Sequence, residues 1–302
     1  GAAGMMAAVT IKERAPHMRV MLFEKNKYLG AKVAISGGGR CNVTAGIFDV
    51  RDLLKNYARG AKFLMTAMYH FPQQEVMRWF EDHSVPLKIE PDMRVFPKSD
   101  RGNDVVEALE KDMCEAGVEI VLGCSVKSVV KKAPGFEIKI DGKTYPVDSL
   151  VIAAGGNAYR HTGSTGDGYA FAQALGHTIT PLGPSLNSFL VQESWVSECA
   201  GVSFEKARLI LTSSNKKYER TGAFVFTHRG VSGPAVFALS SLAAYEKYSQ
   251  SEPLTIAINF FPDERPDQLA ARFGKALSQN PKKTLATILD FFLPKSLCRI
   301  FL

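Results

Sequence analysis

The sequence has 302 residues, of which 46% are hydrophobic and 22% are charged. A chain of this length and composition can bury a sizeable core, which excludes a disordered or fibrous protein and predicts two or three domains. The 37 Lys and Arg residues against 30 Asp and Glu give a net charge of +7. Because the basic residues lie in short, widely separated clusters, they indicate a solvated surface rather than one site for an anionic macromolecule.

Membrane, secretion and metal signals are absent from the sequence. No apolar run approaches the roughly 20 residues needed to cross a bilayer, and the start "GAAGMMAAV" lacks the positive charge that opens a secretion signal. We therefore expect a cytoplasmic protein with no membrane partner. The five cysteines form no CxxC or CxxxxC pair, so neither a metal site nor a redox dithiol is predicted.

The first 25 residues resemble the latter part of a dinucleotide-binding fingerprint. "GAAGMMAAVTIKERA" predicts a helix of small residues packed on a flat surface, and Val20 to Phe23 predicts a buried strand that ends at Glu24. Glu24 lies 20 residues after Gly4, the offset of the acid that binds a ribose hydroxyl. The full GxGxxG would need another glycine before Gly1 and a preceding strand. By itself the pattern also fits an Ala/Gly-rich helix packed on a sheet.

The middle of the sequence predicts a strand, a three-stranded meander at about 125–147, and another strand. A short buried strand is expected at Val118 to Leu122 and a second buried strand at Leu150 to Ala153, followed by Gly155 and Gly156. The predicted meander strands are Ser125 to Val130, Phe136 to Ile140 and Lys143 to Val147, with a turn at Asp141-Gly142. This order of elements is similar to that of two-dinucleotide-binding flavoproteins, whose cofactor is FAD.

Four sequence blocks make the resemblance specific: "GAAGMMAA", "LGAKVAISGGGRCNVT", "STGDGYAFAQALGHTITPLGPSL" and "GAFVFTHRGVSGPAVFALS". They resemble the HI0933-like family of FAD-binding flavoproteins, also described as the BaiN or aminoacetone-oxidase type. The resemblance implies an α/β fold: a Rossmann-like two-dinucleotide-binding FAD domain at 1–180, an inserted small β-barrel on the substrate side at 181–262, and a helical subdomain at 263–302.

The resemblance also implies which residues bind the cofactor. Ser36 to Asn42 would lie along the flavin, with glycine N–H groups facing cofactor oxygens, Arg40 neutralising phosphate and Asn42 holding the loop. We interpret Cys41 as a small packed residue rather than a catalytic thiol. The predicted cofactor-binding residues are Gly1, Gly4, Glu24, Lys25, Lys32, Ser36, Gly37, Gly38, Gly39, Arg40, Cys41, Asn42, Val126, Ala154, Gly155, Gly156, Gly166 and Asp167.

Separated strands are predicted after Pro181, and helices after Pro262. In "FTHRGVSGPAVFALS" a strand changes to a helix, with Ser232 expected as the N-cap and Pro234 in the first turn. By resemblance this turn faces the flavin. His228 is therefore the candidate catalytic acid/base or substrate contact, and a hydrogen-bonded structural histidine is the alternative.

The resulting hypothesis is an FAD-dependent oxidoreductase that transfers hydride between flavin N5 and either a small organic substrate or NAD(P)H. The substrate would bind between the inserted domain and the flavin, NAD(P)H would be a transient donor, and the oligomeric state is left open. The family resemblance further implies that a first strand and a final FAD-domain segment lie outside this sequence, so that the chain as given would bind FAD poorly.

Two alternatives come from other functional classes. One is a flavin-dependent RNA-modifying or RNA-binding protein, suggested by the positive charge. Nucleic-acid binding is not expected, however, because aromatic and basic residues are not interleaved in one strip. The other alternative is a flavin-free binding or scaffold domain.

Overall fold

The computed structural model describes residues 1–213 and 216–302. The chain divides into two compact units, Gly1–Thr180 and Pro181–Leu302. The first unit mixes helices with parallel and antiparallel strands and is Rossmann-like. The second unit consists of an antiparallel sheet and helices.

The first unit is built around a parallel strand pair. Strand β1 (Met21–Phe23) pairs in parallel with β5 (Glu119–Val121). The stretch of chain between these two strands contains other elements, including β2 (Thr44–Ala45) and β4 (Arg94–Pro97). Both β1 and β5 lie within the segments predicted from sequence. The helices of this unit are α1 (Ala2–Arg14), α2 (Ala31–Ile35), α3 (Val50–Leu54), α4 (Ala61–His70), α5 (Gln73–Asp82), α6 (Gly102–Glu115) and α7 (Asp167–Ala174).

The main core of the first unit lies between helices α1 and α6 and the parallel strands. Met5 and Val9 of α1 and Leu109 and Met113 of α6 are completely or almost completely buried. Each pair has a spacing of four residues, which places both side chains on one face of their helix. Burying each such side chain contributes about 1.5–3 kcal/mol to folding. This packing fixes the position of α1 relative to the end of β1.

The predicted meander is confirmed. Strands β6 (Val126–Lys132), β7 (Gly135–Ile140) and β8 (Lys143–Val147) form an antiparallel sheet. Asp141 and Gly142 have positive φ angles of 47° and 80°, as a two-residue hairpin turn requires.

The predicted buried strand at Leu150 to Ala153 is wrong. The structure assigns no strand there, and 61% of Val151 is exposed. A buried strand needs neighbours that satisfy its N–H and C=O groups, and no described segment pairs with residues 150–153. The apolar side chains of residues 150–153 are therefore not buried, although their composition predicted that they would be.

A second small sheet and three helices occupy a region whose elements were not predicted from sequence. The sheet has the order β2-β4-β3, where β3 covers Leu87–Ile89. Helices α3, α4 and α5 lie between β2 and β3 along the chain. Phe96 of β4 is completely buried and lies at the edge of the glycine-rich loop at Ser36–Gly39.

The second unit contains one five-stranded antiparallel sheet in the order β13-β10-β11-β12-β9. Its core includes Leu209, Phe224, Phe226 and Leu239, all almost completely buried. The strands are β9 (Phe189–Leu190), β10 (Ser203–Thr212), β11 (Lys217–Thr227), β12 (Gly230–Ser232) and β13 (Thr255–Asn259).

Helix α8 (Pro234–Leu242) begins one residue later than expected, because Ser232 as the N-cap would have started the helix at Gly233. Ser232 belongs to β12, and the N-cap is Gly233, with Pro234 as the first helical residue. Gly233 has a φ of 106°, and a Cβ placed there would lie 2.9 Å from the α-carbon of Phe224. The close approach of the β11 backbone thus requires glycine next to the position where a serine cap was expected.

The C-terminal helices are α9 (Pro266–Gln279), α10 (Leu285–Leu289) and α11 (Lys295–Ile300). Helix α10 ends at Leu289, and Pro294 is the N-cap of α11. No helix among the described residues is long and apolar enough to cross a membrane. The described residues also contain no group of three or more His, Cys, Asp or Glu that could hold a metal ion.

A carboxylate network ties the β10–β11 hairpin to the segment after α8. Glu246, whose side chain is 13% exposed, accepts hydrogen bonds from Lys216 Nζ at 2.8 Å and Tyr218 Oη at 2.5 Å. The hydrogen bond from Lys216 and then that from Tyr218 lower the pKa of Glu246 from 4.5 to about 2.

We expect Glu246→Gln to lower the melting temperature at pH 7. The folded-state pKa lies below the unfolded one, so the charged carboxylate stabilises the fold above about pH 4.5, and this contribution disappears as the pH falls towards 2. Thermal unfolding across this pH range measures the effect, with Glu205→Gln, at an exposed position of β10, as the control. A melting difference that does not narrow below pH 4.5 would contradict the role of the charge.

Candidate functional site

The carboxyl end of β1 presents Glu24. Its N–H donates to Val121 O and its carbonyl accepts from Cys124 N, each at 2.9 Å, so the main chain is held as an extension of the parallel pair. Its side chain, 16% exposed, accepts a hydrogen bond from Asn26 N at 2.9 Å. This contact orients the carboxylate and leaves it acceptor capacity for a further donor.

The two residues after Glu24 hold the loop that precedes α7. Lys25 Nζ donates to Thr165 Oγ1 at 2.6 Å and to Asp167 Oδ2 at 2.9 Å, and Asn26 Nδ2 donates to Thr162 O. The hydrogen bond from Lys25 is the largest cause of a lowered pKa at Asp167. Lys25 and Asp167, both predicted as cofactor ligands, therefore bind each other.

Helix α1 starts with its N–H groups uncapped by any side chain. Gly1 is its N-cap, and the first turn contains no acidic residue. A Cβ at Gly4 would lie 3.3 Å from the Cβ of Ala153, so the helix packs closely on the segment before Ala154. Uncapped N–H groups and the helix dipole together favour an anion such as phosphate.

The segment Ser36–Gly39 forms a tight 3-10 turn. Gly37, Gly38 and Gly39 have φ angles of 57°, 73° and 90°, which side chains disfavour. A Cβ at Gly37 would clash with Phe96 and Asn42, whereas nothing lies within 4 Å of a Cβ at Gly38 or Gly39. The backbone of the last two glycines therefore faces open space.

The start of α6 supports this loop from behind. A Cβ at Gly102 would lie 2.8 Å from Ala34 O and 2.9 Å from Gly39 O. Only a glycine at position 102 permits this approach of helix and loop.

The charge of Arg40 is already compensated. Its guanidinium lies 3.8 Å from the centre of the Phe96 ring and contacts Glu90 at 2.6 Å and Asp100 at 3.5 Å. Asn42 Oδ1 accepts from Val95 N at 3.3 Å, as expected of a residue that holds the loop. Cys41 is buried, with a φ of 59°, and burial raises the pKa of its thiol.

The segment 154–168 contributes further backbone to the same unit. Lys32 Nζ donates to Ala158 O at 2.9 Å, which joins α2 to this segment. Gly155 and Gly166 have φ angles of 73° and 87°, Gly166 being the N-cap of α7. An open cavity of about 430 Å³ lies here, lined by Ile152, Ala154, Gly155, Gly168, Tyr169, Ala172 and His177.

His228 lies in the second unit, exposed on the turn between β11 and β12. Thr227 Oγ1 stabilises this turn by donating to Gly230 O at 3.1 Å and accepting from Arg229 N. The catalytic role of His228 stays a prediction.

The structure links several of the predicted residues through partners that sequence reasoning missed. Asn26, Thr165, Glu90 and Phe96 make the contacts that hold Glu24, Asp167 and Arg40. Asn26 and Thr165 lie two residues from the carboxylates they contact, whereas Glu90 and Phe96 are far from Arg40 in the sequence. Val126 is the first residue of β6, two residues beyond Cys124, which binds the Glu24 carbonyl.

The residues present fit the adenosine and phosphate portion of FAD. Glu24 supplies a fixed acceptor for ribose hydroxyls, α1 supplies free N–H groups, and Gly38 and Gly39 leave room beside an exposed main chain. Arg40 does not fit a phosphate role, because Glu90 and Asp100 already occupy its guanidinium.

Comparison with protein families gives two matches. The profile described as "HI0933-like protein Rossmann domain" matches residues 1–241, and that described as "HI0933-like protein barrel and H2TH domain" matches residues 183–302.

Individual proteins are also similar to this chain. A 3-dehydro-bile acid delta(4,6)-reductase of Clostridium scindens is 29% identical over 297 residues, covering 98% of this chain and 71% of the relative. A ribosomal RNA dihydrouridine synthase of Escherichia coli is 29% identical over 298 residues, covering 98% of this chain and 70% of that protein. The solved 3-ketosteroid-delta4-(5alpha)-dehydrogenase of Rhodococcus jostii has 13% identity and a TM-score of 0.41, covering 71% of this chain and 59% of that one.

The burial of Cys41 predicts low reactivity. In the native protein, iodoacetamide should modify exposed Cys114 well before Cys41 or Cys199, because burial raises the pKa of both of the latter thiols. Mass spectrometry of timed samples measures the order, and the guanidinium-unfolded protein, in which all thiols react, is the control. Labelling of Cys41 as fast as Cys114 would contradict its role as a packed residue.

Proposed function

The chain belongs to the HI0933-like family and is a flavin-dependent oxidoreductase, and we propose that its cofactor is FAD, held by the first unit. The observation that carries the proposal is the fixed carboxylate of Glu24 at the end of β1, together with the uncapped start of α1. An acid at the end of this strand and a helix N-terminus are the two groups that bind ribose and pyrophosphate in dinucleotide-binding folds.

Each part of the site has a separate role in this proposal. Glu24 accepts hydrogen bonds from ribose hydroxyls, and the first turn of α1, with Gly1 and Gly4, approaches the pyrophosphate. Lys25 and Asp167 hold the neighbouring loop rather than the cofactor, since their charges satisfy each other. The exposed main chain of Gly38 and Gly39 lies along the cofactor beyond the phosphates.

FAD supplies the hydride-transfer chemistry, and the protein positions the reactants. We propose that the substrate is a small organic molecule, as it is for the bile-acid reductase among the relatives. Hydride would pass between that substrate or NAD(P)H and flavin N5. His228, on the exposed β11–β12 turn, remains the candidate for proton transfer.

A second candidate is modification of RNA. Relatives from Escherichia coli and Haemophilus influenzae are ribosomal RNA dihydrouridine synthases, at 29% and 25% identity. The observation that favours this candidate is an exposed surface of aromatic and basic residues on α4, which includes Lys62 and Phe63.

A spectrum and a reduction experiment test the proposal. The purified full-length protein, incubated with FAD and desalted, should retain the absorbance bands of a flavin. Anaerobic NADPH or NADH should then bleach these bands if a nicotinamide is the donor, and readmitted O₂ should restore them if oxygen is an acceptor. Absence of retained flavin at saturating FAD would refute the cofactor assignment.

We expect Glu24→Ala in the full-length protein to weaken FAD binding by about 1–3 kcal/mol, because a charge-assisted hydrogen bond to ribose is lost. Titration of the apoprotein with FAD, followed by quenching of flavin fluorescence, gives the Kd. Glu107→Ala, at an exposed position of α6 in the same unit, is the matched control and should leave the Kd unchanged. Equal affinity in wild type and Glu24→Ala would remove Glu24 from the site.

A further inference from the structure

Helix α4 is held on the first unit by few apolar contacts. It contains no buried residue, although the neighbouring helix α3 buries Val50, Leu53 and Leu54. Only Ala61, Leu64 and Met68 of α4 are half-buried, and they recur every three or four residues, on the side that faces the protein. The rest of the helix faces solvent.

The solvent-facing side of α4 carries large aromatic groups. Phe63 is 87% exposed and Tyr69 is 54% exposed, with exposed Met65 between them. We call the exposed residues Lys62, Phe63, Met65, Thr66, Tyr69 and His70 the α4 surface. Exposing so much apolar area is unfavourable for an isolated protein, and such patches commonly mark binding sites.

Positive charge accompanies these rings. Between Asp52 and Glu75 the sequence contains Lys55, Arg59 and Lys62 but no Asp or Glu. Asp52 itself pairs with Lys55 at 2.5 Å, and Glu75 pairs with Arg78 at 2.7 Å, so the flanking acids are compensated. Lys62 is adjacent to Phe63 in sequence and lies seven residues, or two turns, before Tyr69 on the same side of the helix.

From these observations we infer that the α4 surface binds single-stranded RNA, with bases stacked on Phe63 and Tyr69 and a phosphate bound by Lys62. The two rings are six residues apart, about 9 Å along the helix axis and roughly 120° around it, so each ring would stack a separate base of the strand. Exposed rings beside cations are the combination that single-stranded nucleic acid selects, because every base has a stacking face and every linkage a charge.

Other occupants match the α4 surface less well. A membrane would favour a continuous apolar face, whereas Thr66 and His70 interrupt this one. A protein partner would favour a charge-depleted centre, whereas Lys62 lies beside the most exposed ring. The expectation that aromatic and basic residues are not interleaved overlooked this segment, in which Lys55 and Lys62 lie among the aromatic residues Tyr57, Phe63 and Tyr69.

RNA binding by the α4 surface goes beyond the proposed FAD chemistry, because stacking and charge need no cofactor. Its test is therefore independent of flavin binding. The full chain is titrated into a fluorescein-labelled 15-nucleotide oligouridylate, and anisotropy is recorded at several salt concentrations. The same oligomer as a duplex with oligoadenylate, and vesicles containing phosphatidylserine, are the competing probes.

We expect the single strand to bind more tightly than the duplex. Phe63→Ala and Tyr69→Ala should each weaken binding roughly 5- to 150-fold, the effect of losing one stacked base. Lys62→Ala should lower the slope of log Kd against log salt by roughly 0.7, the effect of losing one phosphate contact. Tyr248→Ala, at a similarly exposed tyrosine of the second unit, is the matched control and should leave binding unchanged.

Three outcomes would overturn the inference: no binding of the oligouridylate at low salt, binding that Phe63→Ala and Tyr69→Ala leave unchanged, or preferential binding of vesicles that the same variants abolish. Because Phe63 and Tyr69 are exposed, their replacement should not change folding, and equal melting temperatures of variants and wild type verify this. Retention of FAD by the variants shows separately that the cofactor site is intact.

Discussion

The parallel pairing of β1 with β5 is the constraint on which the candidate site depends. Only three residue pairs form this ladder, but the hydrogen bond from Glu24 N to Val121 O extends it by one residue. Main-chain hydrogen bonds thereby fix the backbone of Glu24, and the hydrogen bond from Asn26 N orients its carboxylate. Helix α1 packs against α6 beside the same strands, so the acid and the helix N-terminus are positioned by one core.

Charge compensation separates the residues that hold this site from those that are free to bind a ligand. Lys25 is paired with Asp167, and Arg40 with Glu90 and Asp100. A paired cation loses much of its attraction for phosphate, because a ligand would have to compete with a carboxylate already in contact. At the start of α1, main-chain N–H groups, which carry no titratable charge, supply anion-binding capacity.

The sequence was most informative where backbone geometry restricts the choice of residue. The two-residue turn at Asp141-Gly142 follows from such a restriction, and so does the spacing between Gly4 and Glu24. The meander that contains this turn was predicted correctly. Family resemblance supplied the Rossmann-like fold and the flavin. Hydrophobicity alone was misleading at Val151, because burial depends on a neighbouring strand that no local pattern reveals.

Long-range polar partners could not be predicted for a similar reason. Asp167 lies 142 residues from Lys25, and Glu90 lies 50 residues from Arg40. Many charged residues were available to each, and only the folded topology selects among them. The role given to Arg40 from sequence assumed a free guanidinium, and the aromatic and charged neighbours that occupy it lie in and around a sheet that was not predicted from sequence.

Gly102 shows how a position outside the site constrains it. The residue begins α6, a helix whose later turns are buried in the core, yet its missing side chain is what admits the carbonyls of Ala34 and Gly39. A methyl group at position 102 would clash with these carbonyl groups and push the helix and the loop apart. The tolerance of the glycine-rich loop to change is therefore limited from behind, and redesign of the loop would have to treat residues 34–39 and the first turn of α6 as one unit.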